Sequence, residues 1–270
     1  MRTNRLISRE QAATLPLAAR IKFEMELTDA ELKRIKSAKV SSNWRFQDYR
    51  DYSPWRRYLF EFLGSLKDKV ILDLGCGYHP TPVYFALAGA GMVYACDVSP
   101  KAVEYALKQA QSAGVADRVT GFVCAGEQLP LPDDAIDIIH GAGVLHHLYL
   151  PLAKTELNRV LKAGGKAAFK DPLGQNILLE LVRDYVPYRW KKDAKGTDRP
   201  LRFKDIQHFG EEFSYCSYHG FGLTSLLTTL IWGRGDSKAR RVADGVDDFV
   251  LQRMPFLQRY CRFVVTCVQK

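Results

Sequence analysis

The segment 70–77, which reads Val-Ile-Leu-Asp-Leu-Gly-Cys-Gly, constrains the fold of this chain more than any other. Its first three residues form a short apolar run that suits a strand buried on both faces. Gly75 and Gly77 then allow the backbone to turn sharply and to approach a ligand closely. A second apolar run, residues 92–96, ends in Asp97, whose carboxylate can accept hydrogen bonds from both hydroxyls of a ribose. This layout predicts an α/β sheet that binds a nucleoside across the carboxyl ends of its strands.

Strand-like and helix-like segments alternate through the middle of the chain, which predicts a parallel sheet with helices on both faces. Thr81-Pro82 and Ser99-Pro100 each pair a capping hydroxyl with a proline, so we expect helices to begin there. The alternating residues near the C-terminus suit a sheet edge or an antiparallel closing strand. The predicted strands cover 70–73, 92–96, 119–124, 135–140, 166–170, 213–219 and 259–268, and the predicted helices cover 17–39, 55–62, 81–89, 101–112, 151–161, 174–186 and 236–252.

The glycine segment does not fit a dinucleotide site, because the third glycine of Gly-x-Gly-x-x-Gly would fall at Pro80. Asp73-Leu-Gly-Cys-Gly77 instead resembles the first motif of the class I S-adenosylmethionine-dependent methyltransferases of the small-molecule type. The resemblance covers about residues 60–172 and implies a Rossmann-like fold with S-adenosyl-L-methionine as cofactor. Four further motifs match in the order of the family: Asp97-Val-Ser-Pro100, Gly126-Glu-Gln-Leu-Pro130, Asp137-Ile-Ile ahead of Val144-Leu-His-His147, and Glu156-Leu-Asn-Arg-Val-Leu-Lys-Ala-Gly-Gly165.

The resemblance assigns roles to residues at the ends of the predicted strands. Asp73 is expected to accept hydrogen bonds near the amino group of the cofactor, and Asp97 to hold its ribose. Gly141 is expected to leave room for the methionine portion, and Glu127 either to face the adenine or to cap the following turn. The predicted cofactor-binding residues are Asp73, Gly75, Cys76, Gly77, Asp97, Val98, Gly126, Glu127 and Gly141.

Two positions depart from the pattern of the family. His79 stands where a third glycine is usual, so we expect a bulkier loop near the methionine end of the cofactor. Ala125 stands where an acidic residue often faces the adenine amine. We therefore expect adenine contacts from the backbone around Gly126 and Glu127.

The sequence constrains the acceptor side of the site less than it constrains the cofactor side. His146 is the candidate general base, although the paired histidines of the resembling family are commonly structural. Because the sequence offers no other evident base, we favour an in-line displacement that depends mainly on positioning. The candidate acceptor-site residues are Trp44, Tyr49, Tyr52, Asp171 and His219.

These patterns give a fold class and a division of the chain. The predicted class is α/β: a Rossmann-like seven-stranded mostly parallel sheet with helices on both faces, an N-terminal helical cap and C-terminal additions. Residues 1–60 form the cap and residues 61–172 the cofactor-binding core. Residues 173–270 form a substrate lid or insert and the closing strands of the same domain. Within them, the basic loop 187–200 is a candidate lid.

Charge and composition limit the partners. The net charge of +9 is uneven, with +6 over residues 1–69, −1 over 70–170 and +4 over 171–270. The positive flanks indicate either a solvated surface that keeps the protein in solution or a site for an anionic small molecule, and nucleic acid is disfavoured because no RNA-binding module is evident. The chain has no apolar run of the roughly 20 residues that a membrane span needs, and no signal peptide, so we expect a cytoplasmic protein. The six cysteines form no Cys-x-x-Cys pair, so we expect reduced thiols and no metal site.

Three functions stay open at this point. The leading hypothesis is a methyltransferase with a small-molecule acceptor. The second is an RNA methyltransferase, with the basic flanks holding phosphates. The third is a non-catalytic S-adenosylmethionine-binding protein, which rests only on His79 and Ala125. The residues specify neither the acceptor atom nor the oligomeric state.

Overall fold

The computed structural model describes residues 16–32, 45–176, 200–224 and 238–270. Its centre is a seven-stranded sheet of order β3-β2-β1-β4-β5-β7-β6. The first five strands are parallel, whereas β7 runs antiparallel to both β5 and β6. The predicted Rossmann-like, mostly parallel sheet is therefore confirmed. The strands are β1 Val70–Leu74, β2 Met92–Asp97, β3 Val119–Val123, β4 Ile136–Ala142, β5 Leu161–Pro172, β6 Tyr215–Phe221 and β7 Phe263–Gln269.

The described α-helices pack around this sheet, and their starts can be compared with the sequence signals. At the helix that begins at Pro100, the Ser99 hydroxyl accepts a hydrogen bond from the Ala102 N–H (3.3 Å), as its capping role requires. At the helix that begins at Thr81 the capping prediction is wrong, because Thr81 is already helical and its hydroxyl lies 3.1 Å from the Tyr49 hydroxyl. The helices are α1 Leu17–Leu32, α2 Phe46–Asp51, α3 Pro54–Leu63, α4 Thr81–Leu87, α5 Pro100–Ser112, α6 Leu150–Val160, α7 Phe203–Gly210 and α8 Lys238–Arg253.

Apolar side chains pack against both faces of the sheet. Leu72 and Phe169 belong to the core on the face covered by α6 and α7. Ile71 and Ala168 belong to the core on the opposite face, which α3 and α4 cover. Because successive residues of a strand point to opposite faces, two polar residues in a row at the end of a strand serve different sides of the sheet.

Three features of the fold differ from the predicted pattern. β5 begins at Leu161, directly after α6, so the glycine pair 164–165 lies inside the strand. Gly164 has a φ of +73°, and the pairing of β4 with β5 shifts register nearby. The sequence patterns do not predict α7 over 203–210. β7 is antiparallel, as one of the two predicted alternatives requires, but it lies between β5 and β6 and is not an edge strand.

Some predicted boundaries fall outside these elements. The end of the first predicted helix, residues 33–39, and residues 177–199, including all of the proposed lid except Pro200, lie outside the described residues. Residues 174–176 are described and are not helical. α3 continues through the predicted division at residue 60. In the part of the chain that the structure describes, no helix has the length and apolarity needed to cross a membrane.

Candidate cofactor and acceptor site

A tight loop between β1 and α4 forms one side of the candidate site. Gly75 (φ +67°) and Gly77 (φ +50°) both adopt left-handed conformations. A Cβ atom on Gly75 would lie 2.8 Å from Val144 Cγ2, so this position has no room for a side chain. The Cys76 N–H donates to the Cys96 carbonyl of β2 (3.0 Å), which fixes the loop across the strand ends. Burial, with help from nearby carboxylates, raises the pKa of the Cys76 thiol well above its usual range, so this thiol stays protonated.

Asp97 lies at the end of β2 with its carboxylate buried. One oxygen accepts a hydrogen bond from the Gly77 N–H and the other from the Ser99 N–H, both at 2.9 Å. Burial raises the pKa of Asp97, although these two hydrogen bonds oppose the change. Each oxygen keeps a second lone pair, so the carboxylate can still accept hydroxyl donors. Val98, the next residue, is partly buried.

Asp73 faces a histidine on the neighbouring strand. The side chain of Asp73 is 3% exposed, and its Oδ1 lies 2.6 Å from His140 Nδ1. Its other oxygen, Oδ2, is buried without a hydrogen-bond partner among the described residues. A buried carboxylate oxygen without a donor is costly, and a cationic amino group would satisfy it. Asp73, Asp97 and the glycine loop therefore fit an adenosine compound that carries an amino acid.

The residues predicted for the adenine side have defined contacts. Glu127 Oε1 accepts a hydrogen bond from the Tyr149 N–H (2.7 Å) just before α6, which is not the turn that follows Glu127. Gly126 is buried, and a Cβ atom there would lie 3.0 Å from Leu148 Cδ1. Gly141 has a packing reason to be glycine, because a Cβ atom would lie 2.6 Å from Val144 Cγ1 and 2.8 Å from Phe169 Cδ1.

The N-terminal helix α1 bridges two of the loops at this edge. Near its start, Arg20 donates to the His147 carbonyl (2.9 Å), and a Glu24 oxygen lies 3.0 Å from His147 Nδ1. Near its end, Asp29 accepts a hydrogen bond from the Ser99 hydroxyl (2.6 Å). His147, the second histidine of the pair, therefore contacts α1 through Arg20 and Glu24.

His146 makes a different contact, with Asp171. His146 lies in the 3-10 turn after β4, and Asp171 lies near the end of β5. The His146 Nδ1 atom is 2.6 Å from Asp171 Oδ1, which also accepts from the His146 backbone N–H (3.3 Å). The two side chains are only 6% and 1% exposed. Because the carboxylate accepts, Nδ1 carries the proton, and in the neutral ring Nε2 is the basic nitrogen. Sequence reasoning named both residues but not their contact.

The other predicted acceptor-site residues are not brought to this dyad. The Tyr49 ring stacks on Tyr84 (centroids 4.6 Å apart), and Tyr52 is 66% exposed. His219 stacks on Tyr58 of α3 (5.0 Å) and lies on β6, which β7 separates from β5. Trp44 lies outside the described residues.

Cations that sequence reasoning missed lie on the α3 face of the sheet, opposite to the face of Asp171. The Lys170 Nζ atom is 3.7 Å from the centre of the Phe263 ring and 5.6 Å from that of Trp55. The Arg56 guanidinium lies over Trp55 (4.7 Å). Burial lowers the pKa of Lys170 to about 8, with Arg262 and Arg56 adding to the effect and Asp171 opposing it. Neither Lys170 nor Arg56 forms an ion pair with a carboxylate of the described residues.

A cavity of about 510 Å³ lies further out, beyond β5. It is bounded by Gln175, α7, Tyr218 and the 3-10 helix Pro255–Tyr260. None of the predicted cofactor-binding residues lines it. The glycine loop and the dyad, rather than this cavity, define the candidate site.

Known proteins resemble this chain in sequence over part of its length. The chain is 33% identical over 121 residues to the 27-O-demethylrifamycin SV methyltransferase of Amycolatopsis mediterranei, a match that covers 42% of this chain and 44% of that protein. It is 35% identical over 130 residues to the tRNA U34 carboxymethyltransferase of Cellvibrio japonicus, covering 47% and 38%. The chain thus spans less than half the length of these relatives.

The fold itself matches a solved enzyme. The geranyl diphosphate C-methyltransferase of Streptomyces coelicolor, solved with Mg²⁺, geranyl diphosphate and S-adenosyl-L-homocysteine, superimposes with a TM-score of 0.52 at 16% identity, covering 91% of this chain and 82% of that one. Residues 72–169 match the family model described as a methyltransferase domain. The chain therefore carries a methyltransferase domain over residues 72–169, and its fold is the Rossmann-like fold of the class I S-adenosylmethionine-dependent methyltransferases.

Proposed function

We propose that the protein methylates a hydroxyl oxygen of a small molecule, with His146 as the general base. The observation that carries this proposal is the buried contact between His146 and Asp171 at the carboxyl ends of β4 and β5. Parallel sheets of this type bind their ligands at that edge. When bound, the cofactor supplies a methyl group on a positively charged sulfur, which needs no further activation.

The residues of the chain divide the remaining work. The Asp97 carboxylate accepts from the ribose hydroxyls, and Asp73 Oδ2 accepts from the amino group of the cofactor. His146 Nε2 would take the proton of the acceptor hydroxyl as the methyl group is transferred to its oxygen. Asp171 orients the ring and stabilises its charged form. A base in this role contributes about 10²–10⁴-fold to the rate.

We also propose that the acceptor carries an anionic group. Lys170 and Arg56 are partly buried cations without a described carboxylate partner. A carboxylate or phosphate on the acceptor would pair with them. The aromatic rings of Trp55 and Phe263 beside these cations would contact an apolar portion of the same molecule.

A transfer assay tests the reaction. The protein is incubated with a metabolite extract and S-adenosylmethionine labelled on its methyl group, and the product is identified by mass spectrometry. We expect a labelled small molecule with a methylated oxygen. Absence of any labelled product would contradict catalysis and favour the non-catalytic alternative.

Variants of the dyad test the mechanism. His146→Ala should lower kcat about 10²–10⁴-fold, and Asp171→Asn should lower it as well, while both keep their affinity for S-adenosylhomocysteine. His208→Ala is the matched control, because His208 is exposed on α7 and contacts Glu211. Full activity of His146→Ala would refute the role of the base.

The RNA alternative has a direct test of its own. One similar protein is named as a tRNA-modifying enzyme, and the flanks of this chain are basic. Binding to phosphates would weaken steeply with salt. We expect no retention of transfer RNA in a filter-binding assay at low salt, and salt-sensitive retention would favour the alternative.

A further inference from the structure

The contact between His140 and Asp73 has no role in the proton transfer described above. His140 is 1% exposed on β4 and lies directly across from Asp73 of β1 in the parallel pairing of the two strands. Since its Nδ1 atom is 2.6 Å from a carboxylate oxygen, this nitrogen is the one that donates. The contact uses Asp73 Oδ1 and leaves Oδ2 as the oxygen without a described partner.

Aromatic residues hold the His140 ring in this orientation. The Phe60 ring stacks on it nearly in parallel (6.0 Å between centroids, 6° between planes), and the Phe85 ring meets it edge-on (5.2 Å). His140 Nε2 is buried and has no hydrogen-bond partner among the described residues. The aromatic contacts fix the plane of the ring, and the hydrogen bond to Asp73 fixes which edge of the ring faces the carboxylate.

If only folding is considered, the buried contact between His140 and Asp73 has an unfavourable free energy. Two buried polar atoms, Asp73 Oδ2 and His140 Nε2, lack partners in the described part of the chain, and each such atom is unfavourable. An apolar residue at position 140 would fit the surrounding core of Phe60 and Phe85. The presence of a histidine at position 140 therefore indicates a role in orienting Asp73.

We propose that His140 is a positioning residue for the cofactor: by holding Asp73 Oδ1, it presents Oδ2 to the amino group of the methionine portion. The inference rests on the cofactor contact of Asp73 in the proposed function. It predicts that His140 affects only ligands that carry this amino group.

The test compares two ligands by calorimetry. S-adenosylhomocysteine has the amino acid portion, whereas 5′-methylthioadenosine has the same adenosine but no amino group. His140→Leu should weaken the binding of S-adenosylhomocysteine by roughly tenfold or more, which is the effect of losing one hydrogen bond to a charged group. The affinity for methylthioadenosine should be unchanged. His140→Asn keeps an N–H donor near the Nδ1 position and should restore most of the affinity.

The double variant shows whether the two residues act together. Asp73→Asn should reproduce the ligand dependence of His140→Leu, and adding His140→Leu to it should cause little further loss. Equal weakening of both ligands by His140→Leu, or affinity in His140→Asn as low as in His140→Leu, would overturn the proposal. A wild-type protein that binds neither ligand would instead contradict the proposed function.

A measurement on the wild-type protein applies even if His140→Leu fails to fold. Nitrogen-15 NMR of labelled histidine distinguishes which ring nitrogen carries the proton. The proposal expects a proton on His140 Nδ1 in the complex with S-adenosylhomocysteine. A neutral ring protonated only at Nε2 would overturn it, because Nδ1 could not then donate to Asp73.

Discussion

Replacing Lys170 with methionine should stabilise the protein at neutral pH. Burial lowers the pKa of this ammonium group from 10.5 to about 8, so the folded state binds its proton less tightly than the unfolded chain does. A difference of this size is equivalent to at most about 3 kcal/mol, and residual contact with water reduces it, so we expect a gain of about 1–3 kcal/mol. Methionine would keep the packing on Phe263 and Trp55.

The stability that Lys170→Met gains over the wild type should decrease as the pH rises. Below pH 8 Lys170 is charged in both states, and the folded state bears the full cost. Between pH 8 and 10.5 the unfolded chain holds more protons, so wild-type stability rises with pH relative to the variant, and the difference disappears by about pH 10.5. Urea unfolding followed by circular dichroism at pH 7 and pH 10.5 measures both values.

A second lysine on the same strand and face provides the control. Lys166 donates a hydrogen bond to the Phe62 carbonyl (2.9 Å), so Lys166→Met should not stabilise the protein. The reasoning is refuted if Lys170→Met is no more stable than wild type at pH 7, or if its advantage persists at pH 10.5. If Lys170 is kept for an anionic acceptor, the same variant should also raise the KM for that acceptor.

Three further substitutions have defined outcomes. Gly75→Ala should abolish binding of S-adenosylhomocysteine in calorimetry, because φ is +67° and the new Cβ atom would lie 2.8 Å from Val144 Cγ2; an unchanged Kd would contradict this. Asp97→Ala should weaken the same ligand by about tenfold or more, and a loss under twofold would exclude the ribose contact. Arg159→Ala should destabilise the fold by about 2 kcal/mol, since Arg159 bonds Glu156 and the Leu131 carbonyl, whereas an unchanged Tm would show that these bonds contribute little.

Residues at strand ends could be located from the sequence because the signal is local. Asp73 and Asp97 each follow an apolar run, and parallel strands bring such ends to one edge of the sheet. Gly75 and Gly77, which follow Asp73, indicate a turn for the same reason, because their signal is also local. Glu127 was open between two roles because its partner, the Tyr149 N–H, lies 22 residues further along the chain.

Contacts across the sheet could not be predicted in this way. His140 contacts Asp73 only because β4 pairs with β1, and no periodicity within either strand indicates which strands are neighbours. His146 reaches Asp171 only when β4 and β5 lie side by side. The alternation in β7 is compatible with an edge or an interior strand, since the pattern does not identify the neighbours. Sequence reasoning therefore found most of the groups in the candidate site but not the pairs they form.

The most direct test of the account is a crystal structure of the protein with S-adenosylhomocysteine. We expect the ribose hydroxyls on the Asp97 carboxylate, the amino group on Asp73 Oδ2, and the sulfur facing the His146–Asp171 dyad. A complex in which the ligand lies elsewhere, for example in the cavity beside α7, or in which Asp73 contacts no part of it, would contradict the account.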